Sequence, residues 1–196
     1  MTEAAEEQVG GRASGRLRTS RYAKVLPYLR GNLLEVGCGT SPLVHDFRSS
    51  FTSYTGCDLD AELIERLSDR YPEATYEAVD LDHQDLPRDW VSFDTILATA
   101  VIEHLFNLEM VMSRLADRLA DGGNILLTTP TPFGNDIVLP ITARFGLTSA
   151  DAFADHINIL NKRRMNLLAA EVGLKVIKYS TFQLGMNSFA VMAKRS

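Results

Sequence analysis

The chain has 196 residues, 45% of them hydrophobic, which suffices for one domain with a sizeable core and is too little for two. Its 20 basic and 25 acidic residues leave a net charge of −5, so it lacks the broad positive field that draws nucleic acid or an anionic membrane. No apolar run approaches the roughly 18 residues that span a bilayer. Residues 1–21 hold no apolar stretch of a secretory signal, and the two cysteines, Cys38 and Cys57, are too few for a disulfide framework or a cysteine-rich zinc site. A cytoplasmic protein with both thiols reduced is expected.

Residues 1–16 are polar and read as a flexible arm, followed by a single domain over 17–196. Tyr22, Val25, Leu26 and Leu29 recur at helical spacing, predicting a helix over 17–29. Residues 32–36 form a short apolar strand that runs into Gly37-Cys38-Gly39. A short helix over 41–47 suits Pro42 in its first turn. A second strand is predicted over 51–57, ending at Asp58. Asp60 then fits a helix N-cap, before a stripe of Leu63, Ile64 and Leu67. A third strand covers 75–79 and ends at Asp80, and a fourth covers 93–99.

Leu108, Val111, Met112, Leu115 and Leu119 predict a helix that stops at Asp121-Gly122-Gly123. The fifth strand covers 124–129. Residues 131–160 carry scattered proline and glycine and read as an irregular lid or substrate segment. Phe133, Leu139, Phe145, Leu147 and Phe153 offer it a partly apolar pocket wall. Asn161 fits the N-cap of a helix faced by Met165, Leu168, Ala169 and Val172. Two strands, 174–180 and 188–193, follow around a turn at Gly185-Met186-Asn187. Alternating strands and helices imply a mostly parallel sheet covered on both faces. The last two strands must be antiparallel to each other.

In such a sheet, ligands bind beyond the carboxyl ends of the strands. Gly37 and Gly39 let the backbone turn tightly and approach a ligand, although an ordinary tight turn has the same composition. The carboxylate of Asp58 can accept two hydrogen bonds from a ribose diol. Asp80 can accept one from an adenine amino group, or it can serve as a turn aspartate. Three acids, Glu35, Asp58 and Asp80, follow three successive strands. Together they describe a nucleoside pocket without a conspicuous phosphate site.

These segments resemble class I S-adenosylmethionine (SAM)-dependent methyltransferases. Leu33-Leu34-Glu35-Val36-Gly37-Cys38-Gly39-Thr40 resembles the family's first motif and Gly56-Cys57-Asp58-Leu59-Asp60 its second. Residues 93–105, ending in Glu103-His104-Leu105, resemble the fourth, and residues 119–130 the fifth. The nearest group is the small-molecule one, with ubiquinone-type and natural-product enzymes. The resemblance implies a Rossmann-like, doubly wound α/β fold. Its sheet would be seven-stranded and mostly parallel, with an antiparallel last strand and helices on both faces. It also implies that Gly37, Cys38 and Gly39 pass beneath the methionine part of SAM, with Glu35 steadying the loop and the amino group. Asp58 would bind the ribose and Leu59 pack on the adenine. Asp80 and the Leu81 amide would meet the adenine edge, and Ala98 and Thr99 would lie near the methionine end. The chain departs from many relatives at Ser41, where a third glycine is common, and at Ala100, where a polar residue is common.

Methyl transfer requires alignment of the acceptor and, for oxygen or nitrogen, loss of a proton. His104 and His156 are the candidate bases, though either can serve as a packing or anchoring residue. Glu103 can bind substrate or lie solvated on a helix. None of these fits a metal-ligand spacing, so no metal is expected. The expected partner is a small-molecule methyl acceptor and not nucleic acid, since the place after the fourth strand holds Ala98-Thr99-Ala100-Val101 and no Asn/Asp-Pro-Pro motif. A nicotinamide-dependent oxidoreductase would need a glycine at Pro42. A non-catalytic SAM-binding scaffold of the same fold remains the other alternative.

Overall fold

The computed structural model describes residues 12–90, 92–144 and 155–195. Helix α1 covers Arg12–Val25 and passes into a 3-10 turn, Leu26–Tyr28, with Pro27 near its start. Residues 12–16, expected in the arm, are therefore helical, and residues 1–11 lie outside the described part. Strand β1 (Asn32–Val36), helix α2 (Pro42–Asp46), strand β2 (Ser53–Asp58), helix α3 (Ala61–Arg70) and strand β3 (Thr75–Ala78) follow. Then come β4 (Phe93–Thr99), α4 (Leu108–Asp117) and β5 (Leu119–Pro130). A π-helical turn (Gly134–Val138) runs into α5 (Leu139–Arg144), and the chain ends with α6 (Lys162–Glu171), β6 (Leu174–Phe182) and β7 (Asn187–Lys194). Both predicted caps form. Asp60 accepts from the Leu63 amide at 3.0 Å and Asn161 from the Arg164 amide at 3.0 Å.

The seven strands lie in the order β3-β2-β1-β4-β5-β7-β6. β1 to β5 pair in parallel, and β7 inserts antiparallel between β5 and β6. Alternation along the strands feeds two cores. Leu34, Val36, Ile96 and Leu127 bury one face under α4 and α6, and Leu33, Leu97 and Leu126 bury the other with Val25, Tyr54 and Phe189. From β1 the chain steps outward through β2 and β3, then returns across β1 to β4. The carboxyl ends of β1 and β4 thus flank the crevice where strand order reverses. No helix among the described residues is long and apolar enough to cross a membrane.

Two expectations change. Helix α4 ends at Asp117 and not at Gly122-Gly123, because Leu119 already pairs with Phe93. Gly122 does take a left-handed φ of 74°, but it does so within β5, where the register to β4 shifts. Part of the predicted irregular segment is helical, from 134 to 144. Phe145, Leu147 and Phe153 lie outside the described residues, and Phe133 is about half exposed.

Thr131 fastens the helical segment to the β6–β7 turn. Its hydroxyl donates to the Gly185 carbonyl at 2.6 Å and accepts from the Gly134 amide at 3.0 Å. A Cβ on Gly134 would stand 2.1 Å from the Met186 carbonyl oxygen, a backbone atom that cannot rotate away. Gly134→Ala is therefore expected to lower stability by roughly 1–3 kcal/mol, the usual cost of overpacking, read from urea unfolding midpoints at unchanged slope.

Candidate active site

The crevice opens into a cavity of about 300 Å³ lined from β1, β2, β3 and the turn after β4, within the lower range for ligand pockets. Of the predicted site residues, Gly37, Asp58, Leu59, Asp80, Leu81 and His104 stand on its wall. Glu35, Cys38, Gly39, Ala98, Thr99 and His156 do not. A larger, shallower hollow of about 1050 Å³ runs between α4 and α6. It lies off the crevice and its rim is charged, so the smaller cavity is the candidate site.

The first loop is shaped by left-handed backbone at Gly37 (φ 65°), Gly39 (φ 51°) and Ser41 (φ 52°). The third-glycine position thus keeps a glycine-like conformation in a serine. A Cβ at Gly39 would stand in open space, which leaves the loop's backbone exposed as a cradle. The Gly39 amide donates to Asp58 Oδ2 at 3.0 Å, tying the loop to the end of β2. The other oxygen, Oδ1, accepts only a long 3.3 Å bond from the Asp60 amide. Leu59 projects beside it at the mouth, 71% exposed.

Asp80 is more occupied than its place at a strand end suggests. Its two oxygens accept from the Asp82 amide at 3.1 Å and meet the His83 ring at 2.9 Å. Asp82, also on the wall, holds the turn that leads into α4 by accepting from the Phe106 and Asn107 amides at 3.1 and 2.7 Å. Ala98 is fully buried between neighbouring strands, so its side chain is absent from the cavity, and Ala100, at a left-handed φ of 56°, takes that place.

Glu35 is buried beneath the loop. It accepts from Tyr54 at 2.6 Å and from Tyr22, in α1, at 3.2 Å. Ser41 donates to Tyr54 at 3.0 Å, which leaves Tyr76 to donate to Ser41 at 2.8 Å. This relay under the loop was missed in the sequence. Its signal was a tyrosine on each of β2 and β3 and a hydroxyl at the third-glycine position. Burial raises the Glu35 carboxyl to about 7, against the pull of both tyrosines. Cys38 and Cys57 are free, and burial pushes both thiols up, Cys57 to about 12, so neither is a nucleophile.

The Glu35 shift carries a pH dependence. The folded chain holds this proton to about pH 7, whereas an unhindered glutamate releases it near 4.5. Its contribution is full below pH 4.5 and is lost as pH rises through 7. Glu35→Gln removes that decline. Wild type is expected to lose roughly 3 kcal/mol relative to the variant between pH 4.5 and 8, from 1.36 kcal/mol per pH unit. Chemical unfolding of both proteins across that range is the check.

After β4, a 3-10 turn, Ile102–His104, carries Glu103 inward and His104 onto the cavity wall. Glu103 is 1% exposed, which removes the solvated-helix reading. Its carbonyl accepts from the Ile157 and Asn158 amides at 2.7 and 3.0 Å. These bonds bring residues 155–158 against the turn, and the His104 and His156 rings meet edge to face at 4.9 Å. His156 Nδ1 faces Asn135 Oδ1 at 2.6 Å. An amide oxygen accepts only, so Nδ1 carries the proton and Nε2 is free. Burial, then the His104 ring, lowers the His156 pKa and keeps the ring neutral. Burial raises Glu103 to about 7, against its own backbone amide and Arg21.

This sheet order, the antiparallel β7 and an open glycine cradle tied to an aspartate at the end of β2 define the class I SAM-dependent methyltransferase fold. The chain belongs to the family described as a methyltransferase domain, whose model matches residues 12–179. SAM is the cofactor of this family. Malonyl-[acyl-carrier protein] O-methyltransferase of Chlorobium luteolum is 30% identical over 115 residues, 56% of this chain and 43% of that protein. Fatty-acid O-methyltransferase of Mycolicibacterium smegmatis is 35% identical over 105 residues, 51% of this chain and 37% of that protein. The chain thus spans less than half the length of these relatives. Magnesium protoporphyrin IX methyltransferase from Synechocystis, solved with bound S-adenosylhomocysteine, shares the fold at a TM-score of 0.67 and 14% identity, over 100% of this chain and 89% of that one.

Proposed function

We propose that this chain transfers the methyl group of SAM to a small-molecule acceptor. One juxtaposition carries the reading: Gly37, the Asp58 carboxylate and His104 share the wall of one cavity, and the His104 ring meets that of His156 behind it. SAM supplies an activated methyl group on a sulfonium, so the protein's work is binding, alignment and proton transfer. The Gly37–Gly39 backbone passes beneath the methionine part, and Glu35 acts from below, through Tyr54 and Ser41, to hold the loop's shape. Asp58 accepts the ribose hydroxyls through its lightly engaged Oδ1, and exposed Leu59 covers the adenine. Leu81 and Asp80 border the adenine edge. Thr99 and Ala100, at the end of β4, close the methionine end. His104, on the wall, and His156, held neutral behind it, stand where an acceptor proton must leave.

The names of the two relatives give O-methylation, of a malonyl-[acyl-carrier protein] and of a fatty acid, which puts an oxygen acceptor on an acyl compound first in any trial. The test is transfer of radiolabel from methyl-labelled SAM into a small-molecule metabolite extract. Label in an extractable product that disappears on heat denaturation supports the reading. Tight SAM binding with no labelled product across extracts favours the non-catalytic scaffold.

A further inference from the structure

Glu103 poses a problem that the cofactor cavity does not solve. It is buried to 1% exposure, its Oε2 has no hydrogen-bond partner, and no ion pair within 4.0 Å reaches it among the described residues. A buried carboxylate with one oxygen unmet is costly unless something else meets it, and its own amide, Arg21 and the Thr129 hydroxyl offset that burial only in part. What faces it is a pair of imidazoles. One ligand atom each from Glu103, His104 and His156 lie within 4.8 Å of one another.

We propose that Glu103, His104 and His156 form a site for one borderline divalent transition-metal ion, of the Zn2+, Fe2+ or Co2+ kind. Two imidazoles and one carboxylate are the donor set such ions favour over magnesium or calcium. The support behind the donors is that of a built site. The Asn135 side-chain oxygen accepts from His156 Nδ1 and so leaves Nε2 as the available donor atom, as outer-shell carbonyls do for metal-bound histidines. The two amide bonds from Ile157 and Asn158 to the Glu103 carbonyl fix the separation of the two chain segments. Asn158 adds side-chain bonds to the Leu105 and Ile102 carbonyls. Arg21 lies close enough to act on Glu103 and on His156, and its Nε is also buried without a partner. Its charge opposes a cation, so the site favours an anionic oxygen as fourth ligand. Three protein donors leave that position open. With the ion in place both imidazoles would be its ligands and not proton acceptors, and because His104 also lines the cofactor cavity, an acceptor oxygen bound to the ion would be polarised, and its proton made easier to lose, beside the transferable methyl group. This part rests on the proposed methyl transfer; the metal site itself does not.

The test titrates Co2+ into untagged, metal-stripped full chain, read by calorimetry and by the visible ligand-field absorption of the ion. One equivalent is expected to bind with a ligand-field band. His104→Asn, His156→Asn and the near-isosteric Glu103→Gln should each weaken binding about tenfold or more. His45→Asn, an exposed histidine on α2, should bind as wild type does. Sub-stoichiometric binding, or affinity unchanged by all three substitutions, overturns the site. SAM titrated into the same metal-free samples reads the cofactor assignment separately, so a chain that binds SAM but not Co2+ loses only the metal proposal.

Discussion

Gly37→Val is expected to abolish SAM binding. Gly37 sits at a φ of 65°, a region where an L-residue costs about 1–2 kcal/mol and a β-branched one is a genuine outlier. A Cβ there would also meet Val101 Cγ2 at 2.4 Å. Val101 is itself branched and lines the cavity, so it cannot swing clear as the end of a long side chain would. Both penalties act on the loop that forms the cradle. The clash falls on the protein's own Val101, and the cofactor is lost because the loop must move. Together they exceed about 3 kcal/mol, a loss of more than a hundredfold in affinity. Calorimetry on a variant whose circular dichroism matches wild type is the check. Binding within a few fold of wild type would show that the loop does not form the site. Gly37→Ala provides a milder version of the same clash.

Asp58→Ala should weaken SAM binding by roughly 1.5–3 kcal/mol, the scale of hydrogen bonds to a charged group, or about tenfold to a hundredfold and more. The proposed ribose contact is added to a structural task. One oxygen holds the Gly39 amide and the other is lightly used. Asp58→Asn separates them, since its amide oxygen can keep the Gly39 bond while the charge is lost. An intermediate loss is expected for Asn and the full loss for Ala. Unchanged affinity in a folded Ala variant would mean that the ribose contact is misassigned.

The framework was legible in the sequence because its signals are local. Apolar runs at 32–36 and 93–99 mark strands buried on both faces, and Asp60 and Asn161 announce their helices through a single side chain. The misplaced features depend on tertiary context. Gly122-Gly123 reads as a helix stop, yet pairing of Leu119 with Phe93 ends the helix a turn earlier. Residues 134–144 hold a proline and a glycine, yet packing against the Met186 carbonyl and Thr131 supports a helix there. At the candidate site, strand-end positions led to Asp58 and Leu59, which do stand on the cavity wall. They could not show that Asp80 is engaged by its own turn, or that a 3-10 turn carries Glu103 inward. The approach of His156 to His104 spans 52 positions of sequence, and long-range bonds produce it, from the Ile157 and Asn158 amides to the Glu103 carbonyl and from the Asn158 side chain to the Ile102 and Leu105 carbonyls.

Parallel calorimetric titration of the wild-type chain with SAM and with NAD tests most directly whether the crevice at the ends of β1 and β2 is a SAM site. Stoichiometric binding of SAM with no heat from NAD is the predicted result. Binding of NAD alone would contradict it, and would return the loop to the dinucleotide reading that Pro42 argues against.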